Sequence, residues 1–327
     1  MNVVVPIKDF AREDEAREGA GPSLGSAREI WADRRRLIER RERYYGPDGS
    51  LPRWWVELFD LGVHGLAEAA RFLRVDGRGR SNALAPRLEE LGLSFSSLPT
   101  AFDGYRILQL SDTHLDHLPE LSDIAGRMLD GIEVDLVVVT GDIHGHRRAA
   151  LVESAAPLES ALAGVRTRDG RLAVLGNHDP TEMAETLERL GFRVLLNESI
   201  TLERHNQRLV VTGLDDVHRF YTPAATRTLA DAPQGFRVAL VHSPEMADHA
   251  AAAGYALYLC GHTHGGQICL PSGRPIFSRL RRCKFAVAGE WRSGSMIGYT
   301  NRGLGVSGAA MRFNCDAEMA VITLRRT

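Results

Sequence analysis

Beyond residue 100 or so, the chain is written in short apolar runs that break off at polar turns. "YRILQLSD", "VDLVVVTGD", "RLAVLGNHD", "FRVLLN", "RLVVTGLDD", "FRVALVHSP", "YALYLCGHTH" and "MAVITL" all follow this plan. Runs this short and this rich in Val, Ile and Leu predict buried β-strands. Between several of them the apolar spacing changes to that of a helix, as in "LPELSDIAGRMLDGI" and "PTEMAETLERLG". Strands alternating with helices predict an α/β domain spanning residues 101–327.

Before residue 100 the texture is helical. "SAREIWADRRRLIERRERYY" and "WWVELFDLGVHGLAEAARFL" both place apolar residues at helical spacing, so residues 1–100 read as a helical N-terminal extension. Trp55, Leu58, Phe59, Leu66 and Phe72 form an apolar stripe expected to pack on the following domain, the alternative being a membrane surface with Trp54 and Trp55 at its interface. The arginine-rich "RRRLIERRER" is expected to be a solvated helix face.

Composition narrows the classes. With 44% hydrophobic and 25% charged residues, the 327-residue chain is an ordinary globular sequence large enough for a sizeable core. A net charge of -2 gives no reason to expect a nucleic acid partner. Cys260, Cys269, Cys283 and Cys315 show no paired spacing and read as reduced thiols, which points to the cytoplasm. The opening "MNVVVPIKDFAREDEAREGAG" lacks the order of a secretion signal, and Glu57, Asp60, His64, Glu68 and Arg71 make the next apolar stretch too polar to span a bilayer. Any membrane contact is thus expected to be peripheral, on the inner face.

Five of the strand-like runs end in residues able to hold a metal. They supply Asp112 and His114, then Asp142, then Asn177 and His178, then His242, and last His262 and His264. Ligands of open α/β sheets bind where the loops at the carboxyl ends of several strands converge. A lone DxH or HxH is weak, but five strand ends furnished this way are a strong signal. Gly141, Gly176, Gly261, Gly265 and Gly266 sit among these residues, where a backbone must turn sharply. Nitrogen and oxygen donors without thiolate suit Mn, Fe, Zn, Co or Ni. That many donors exceed the needs of one ion and fit two ions sharing a carboxylate.

Taken together, "DTH", "GD", "GNHD", "H" and "GHTH" over residues 112–264 resemble the calcineurin-like metallophosphoesterases. "AFDGYRILQLSDTHLD", "CGHTHGGQICLP" and "NRGLGVSGAAMRFNCDAE" further resemble a bacterial branch containing phosphodiesterases and UDP-2,3-diacylglucosamine pyrophosphatases. The resemblance implies a four-layer αββα sandwich, two mixed β-sheets flanked by helices. It implies one divalent ion on Asp112, His114 and His264, a second on Asn177, His242 and His262, and Asp142 bridging them, with manganese the first candidate. His178 would face the substrate as a catalytic residue, with Asp179 fixing its tautomer and orientation. The reaction implied is hydrolysis of a phosphodiester or pyrophosphate bond by a metal-bridging hydroxide.

The second motif departs from the family, continuing as "GDIHGH", and places His144 and His146 as candidate substrate contacts. Arg302 in "NRGLG" is a candidate phosphate ligand, with a structural ion pair as its alternative. Asp215 and Asp216 could cap a turn. The expected partner is a phosphorylated small molecule or a glycolipid; oligomeric state is not legible. Two other readings compete: hydrolysis of UDP-2,3-diacylglucosamine in lipid A synthesis, and a catalytically silent interaction scaffold with the same fold.

Overall fold

The computed structural model describes residues 27–41, 43–145 and 149–327. Two six-stranded sheets dominate it. Edge to edge, one contains Arg87–Phe95, Glu318–Arg326, Arg106–Leu110, Leu136–Thr140, Arg171–Val174 and Phe192–Val194. The other contains Glu198–Arg204, Gln207–Gly213, Phe236–Leu240, Leu257–Cys260, Met296–Thr300 and Gly289–Ser293. Both are mixed. Arg106–Leu110, Leu136–Thr140 and Arg171–Val174 run parallel, and Glu318–Arg326 lies antiparallel to the first of them. In the second sheet Gln207–Gly213, Phe236–Leu240, Leu257–Cys260 and Met296–Thr300 are parallel, with antiparallel strands at both edges.

Alternation along each strand sorts the side chains between two surfaces. Ile107, Val138, Leu172 and Ile322 of one sheet meet Val211, Val238, Leu257 and Ile297 of the other in a single buried cluster. Their neighbours Leu108, Leu110, Val137 and Val139 face outward in a cluster with residues of the helices Glu120–Leu129, Val152–Ala161 and Met183–Arg189. On the other outer side, Ala239, Val241, Tyr258 and Cys260 cluster with residues of the helices Pro223–Ala230 and Ala247–Ala252. This is the expected four-layer αββα sandwich. Each fully buried Val, Leu or Ile contributes about 1.5–3 kcal/mol by leaving water. The central strands are therefore the rigid part, and the loops at their carboxyl ends inherit fixed positions.

The N-terminal region is more than a helical extension. Strand Arg87–Phe95 pairs in parallel with Glu318–Arg326 along its whole length, so the sandwich takes an edge strand from before residue 100. A two-stranded hairpin, Arg43–Gly46 with Gly49–Pro52, separates the helices Ala27–Arg40 and Arg53–Phe72. In the second helix Ala67 and Ala70 pack with Ala309 and Met311, and Val63 joins them. Two residues of the stripe expected to pack do otherwise: Leu58 is 55% and Phe72 87% exposed, and Trp54 and Leu61 are exposed beside them. Leu66 is half-buried, while the side chains of Trp55 and Phe59 fall outside the described set. Small alanines let that opposite face approach the domain closely, while Trp54, Leu58, Leu61 and Phe72 are left on the solvent side. Among the described residues no helix is long and apolar enough to cross a membrane.

Candidate metal centre

Both sheets end on a common cleft. Asp112 and His114 follow Arg106–Leu110, Asp142 follows Leu136–Thr140, and Asn177 and His178 follow Arg171–Val174. His242 follows Phe236–Leu240, and His262 and His264 follow Leu257–Cys260. The two halves are stitched by the His262 amide, which donates to the Asp112 carboxylate at 2.9 Å, and by His242 Nδ1, 2.8 Å from the carbonyl of Thr140. All seven candidate ligands are buried.

They gather into two clusters. In one, donor atoms of Asp112, His114 and His264 lie within 4.8 Å of one another; in the other, those of Asp142, His242 and His262 do. Individual donors are closer still. His264 Nε2 is 3.4 Å from Asp112 Oδ1, His242 Nε2 is 3.2 Å from Asp142 Oδ2, and His262 Nδ1 is 3.2 Å from His242 Nε2. Asn177 Oδ1 stands 3.3 Å from His242 Nε2. Ligands about 2.1 Å from one ion, at tetrahedral to octahedral angles, are separated by about 3.0–3.4 Å. The spacing fits shared cations.

The free lone pairs agree. His114 Nδ1 faces the His144 carbonyl at 3.0 Å, and its buried Nε2 has no hydrogen-bond partner. A ring that donates from Nδ1 offers a bare Nε2 to a cation. Burial drives His262 and His264 well below the ordinary imidazole range and His114 to about 4, so these rings stand neutral. His242 differs: burial opposes its charge, but the Asp142 carboxylate beside it prevails and lifts it to about 10. Asp142, against burial, is held well below the carboxylate range by His242 and His178. The Asp142–His242 contact, at 3.2 Å, is where a cation could sit, and its uptake would require the His242 ring to be neutral.

Backbone strain marks the same residues. Asp112, His114, Asp142, His262 and His264 all have φ between 35° and 72°, a region that costs non-glycine residues about 1–3 kcal/mol. Glycine would relieve the strain but carries no donor. Glycine appears instead where a side chain cannot fit: a Cβ on Gly176 would collide with the Asp142 carboxylate, and one on Gly261 with Ser111 and Asp112.

Residues 105–266 match the sequence model described as "Calcineurin-like phosphoesterase". The metallophosphoesterase YkuE of Bacillus subtilis is 32% identical, over 82% of this chain and 97% of that protein. Phosphodiesterase YaeI of Escherichia coli is 30% identical, over 67% of this chain and 82% of that protein. The chain belongs to the calcineurin-like phosphoesterases. It is a metal-dependent phosphoric ester hydrolase, with the two clusters as candidate seats for its divalent ions. A third relative, the "Transmembrane protein with metallophosphoesterase domain" of Danio rerio, is 26% identical over 81% of this chain and 60% of that protein.

In this phosphoesterase the centre opens into a cavity of about 320 Å³. His178 and His117 line it together with Asp142, Asn177, His262 and His264. Val63, Leu66, Ile268 and Phe277 give it an apolar wall, and Arg279 adds a cation. Leu66, expected to pack on the domain, therefore reaches the mouth of the site.

Four expectations are corrected or left open. The Asp179 carboxylate does not hold the His178 ring; it accepts the amides of Ile143, His144 and Gly176 at 2.8–2.9 Å, bracing two loops against each other. The His144 ring turns away from the cavity, its Nδ1 2.8 Å from Ser154 Oγ, and the residue serves the site through its carbonyl. Arg302 is committed to an ion pair with the buried Glu318 carboxylate and does not line the cavity. His146 lies outside the described residues. Asp216 accepts the amides of His218 and Arg219, the turn cap expected of it.

Sequence reasoning missed a second layer. His218 packs on the His262 ring with centroids 4.3 Å apart and places Nδ1 2.9 Å from Glu245 Oε2. Glu245, buried and also accepting the Arg281 amide, is drawn down to about 2 because His218 and Arg281 outweigh its burial. Only the "VHSPE" stretch hinted at this, by setting an acid three residues beyond His242.

Proposed function

We propose that this protein is a dinuclear phosphodiesterase or pyrophosphatase. One ion would rest on Asp112, His114 and His264, and the other on Asn177, His242 and His262, with Asp142 common to both. The observation that carries the reading is the position of Asp142 Oδ2, 3.2 Å from His242 Nε2 in one cluster and 3.8 Å from His114 Nε2 in the other. The donor set takes Mn, Fe, Zn, Co or Ni, and we propose Mn²⁺ as the resident ion.

Bound cations supply Lewis acidity, lowering the pKa of a water and offsetting phosphate charge. The protein does the rest. Asp142 Oδ1 accepts the His178 amide at 2.8 Å, which fixes the carboxylate and aims Oδ2 between the clusters. His178, kept neutral by burial, reaches the cavity and is the group proposed to steady the charge on the departing oxygen through a ring N–H hydrogen bond. Arg279 would hold a non-bridging phosphate oxygen. With Mn²⁺, hydrolysis of bis-p-nitrophenyl phosphate exceeding that of the monoester tests the reading; monoester preference overturns it.

The apolar wall of Val63, Leu66, Ile268 and Phe277 favours a second, narrower reading, a phosphoester carrying an apolar group such as UDP-2,3-diacylglucosamine. Release of UMP from that glycolipid would establish it. Exposed Trp54, Leu58, Leu61 and Phe72 support peripheral contact with the inner membrane face of a cytoplasmic protein. Co-sedimentation with phospholipid vesicles checks that contact.

A further inference from the structure

We infer that Arg35 is a positioning residue for the metal centre, fixing the loop that presents Asn177 and His178. The inference rests on the metal-dependent reading above. Arg35 lies in the helix Ala27–Arg40, within the run whose arginines were expected to face solvent, yet it is only 1% exposed.

Both terminal nitrogens of its guanidinium are engaged with the site's far side. Nη2 donates to the carbonyls of Gly176 at 2.9 Å and Asp179 at 2.8 Å, which bracket Asn177 and His178 in the chain. Nη1 forms an ion pair with the Asp215 carboxylate, just beyond the strand Gln207–Gly213 of the other sheet. Trp31 Nε1 donates to the second oxygen of Asp215 at 2.7 Å. The Phe220 ring lies 3.8 Å below the guanidinium carbon. Around this core the same helix adds Glu39, whose Oε1 accepts both the amide and the hydroxyl of Thr181 at 2.8 Å. Arg219 takes the intervening carbonyl of Asn177 at 3.2 Å.

A buried cation is tolerated only when it is paired and hydrogen-bonded, and its net worth to stability is small. What such a planar fork contributes is geometry. One cation here spans loops from both sheets and sets their separation across the second cluster. Three features of the centre move if that loop moves: Asn177 Oδ1, the His178 amide that orients Asp142, and the His178 ring. A displacement of about 1 Å at such a place costs on the order of 100-fold in rate.

The test uses the full-length chain, stripped of metal, with Mn²⁺ binding followed by calorimetry and kcat and KM measured on bis-p-nitrophenyl phosphate. Arg35→Lys keeps the charge but cannot reach Asp215 and both carbonyls together. The double variant Arg35→Met with Asp215→Asn removes the buried pair as a unit, leaving no lone charge. Both are expected to bind the second Mn²⁺ equivalent about 10–100-fold more weakly, with kcat down by a similar factor and KM within about threefold. Arg28→Ala, a change on the same helix that breaks only an exposed pair with Glu188 of the helix Met183–Arg189, should change neither quantity. The inference is overturned if folded Arg35→Lys keeps wild-type Mn²⁺ affinities and kcat. Loss of folding in both Arg35 variants overturns it too, since Arg35 would then be structural. A wild-type chain that binds two Mn²⁺ but cleaves no phosphoester refutes the functional reading alone, and the Mn²⁺ affinities still decide on Arg35.

Discussion

Asp142 Oδ2 lies 3.2 Å from His242 Nε2, while its other oxygen, Oδ1, is taken by the His178 amide at 2.8 Å. One oxygen is therefore left to face the two clusters while the other anchors the carboxylate. In the proposed two-ion centre Oδ2 would be the shared oxygen, because the backbone amide has already claimed Oδ1.

Asp142→Asn keeps the size but presents an amide and loses the negative charge between the clusters. Removing groups that merely support a metal ligand costs about 10–100-fold in affinity. Loss of a shared ligand should exceed that, so metal content and turnover should fall together by at least about 100-fold. Elemental analysis beside a rate assay checks this. A variant that keeps both ions and full activity would refute the assignment.

His178→Ala separates chemistry from binding. Its backbone amide, and so the anchor on Asp142, survives the substitution. Metal content should be unchanged, with kcat lower by about 10²–10³ for loss of a hydrogen-bond donor to the transition state. Unaltered kcat would remove His178 from the reaction.

His144 and Arg302 were expected at the substrate, and their contacts say otherwise. The His144 ring meets Ser154, and Arg302 meets Glu318. His144→Ala and Arg302→Met should each leave KM within about twofold while costing roughly 1–3 kcal/mol of stability, the penalty for stranding a buried polar partner. A tenfold rise in KM would restore either residue to the binding site.

Glu245 gives a pH signature. Its carboxyl is lowered from the ordinary 4.5 to about 2, burial being outweighed by His218 and Arg281. A depressed acid stabilises the fold above its unfolded value, and the contribution disappears as pH falls through the folded one. The stability difference between wild type and Glu245→Gln should thus be full, at roughly 3 kcal/mol, above pH 4.5 and vanish towards pH 2. Thermal unfolding across that range, on metal-free protein, measures it. A pH-independent difference would contradict the ion-pair account.

Much of the centre was legible because its donors sit at strand ends, where a hydrophobic run stops and a polar turn begins. The strands Leu136–Thr140 and Leu257–Cys260 announce themselves by continuous burial, and Asp142, His262 and His264 follow within a few residues. The supporting layer was hidden because it is made by contacts across great sequence distance. Arg35 reaches Asp215 across 180 positions, and only the packing of Ala27–Arg40 against the sandwich turns it inward from its neighbours. Side-chain direction was likewise unreadable: "GDIHGH" shows a histidine at 144, but not that its ring swings to Ser154 while its carbonyl steers His114. Strand Arg87–Phe95 was lost for a related reason. It is a partly exposed edge strand without a continuous apolar run.

The most direct measurement is anomalous diffraction at the manganese edge from crystals grown with Mn²⁺. Two peaks on the order of 3.5–4 Å apart are expected, one beside Asp112, His114 and His264 and one beside Asn177, His242 and His262, with Asp142 touching both. A single peak, or density in only one cluster while Asp142 binds nothing, would contradict the shared two-cation centre.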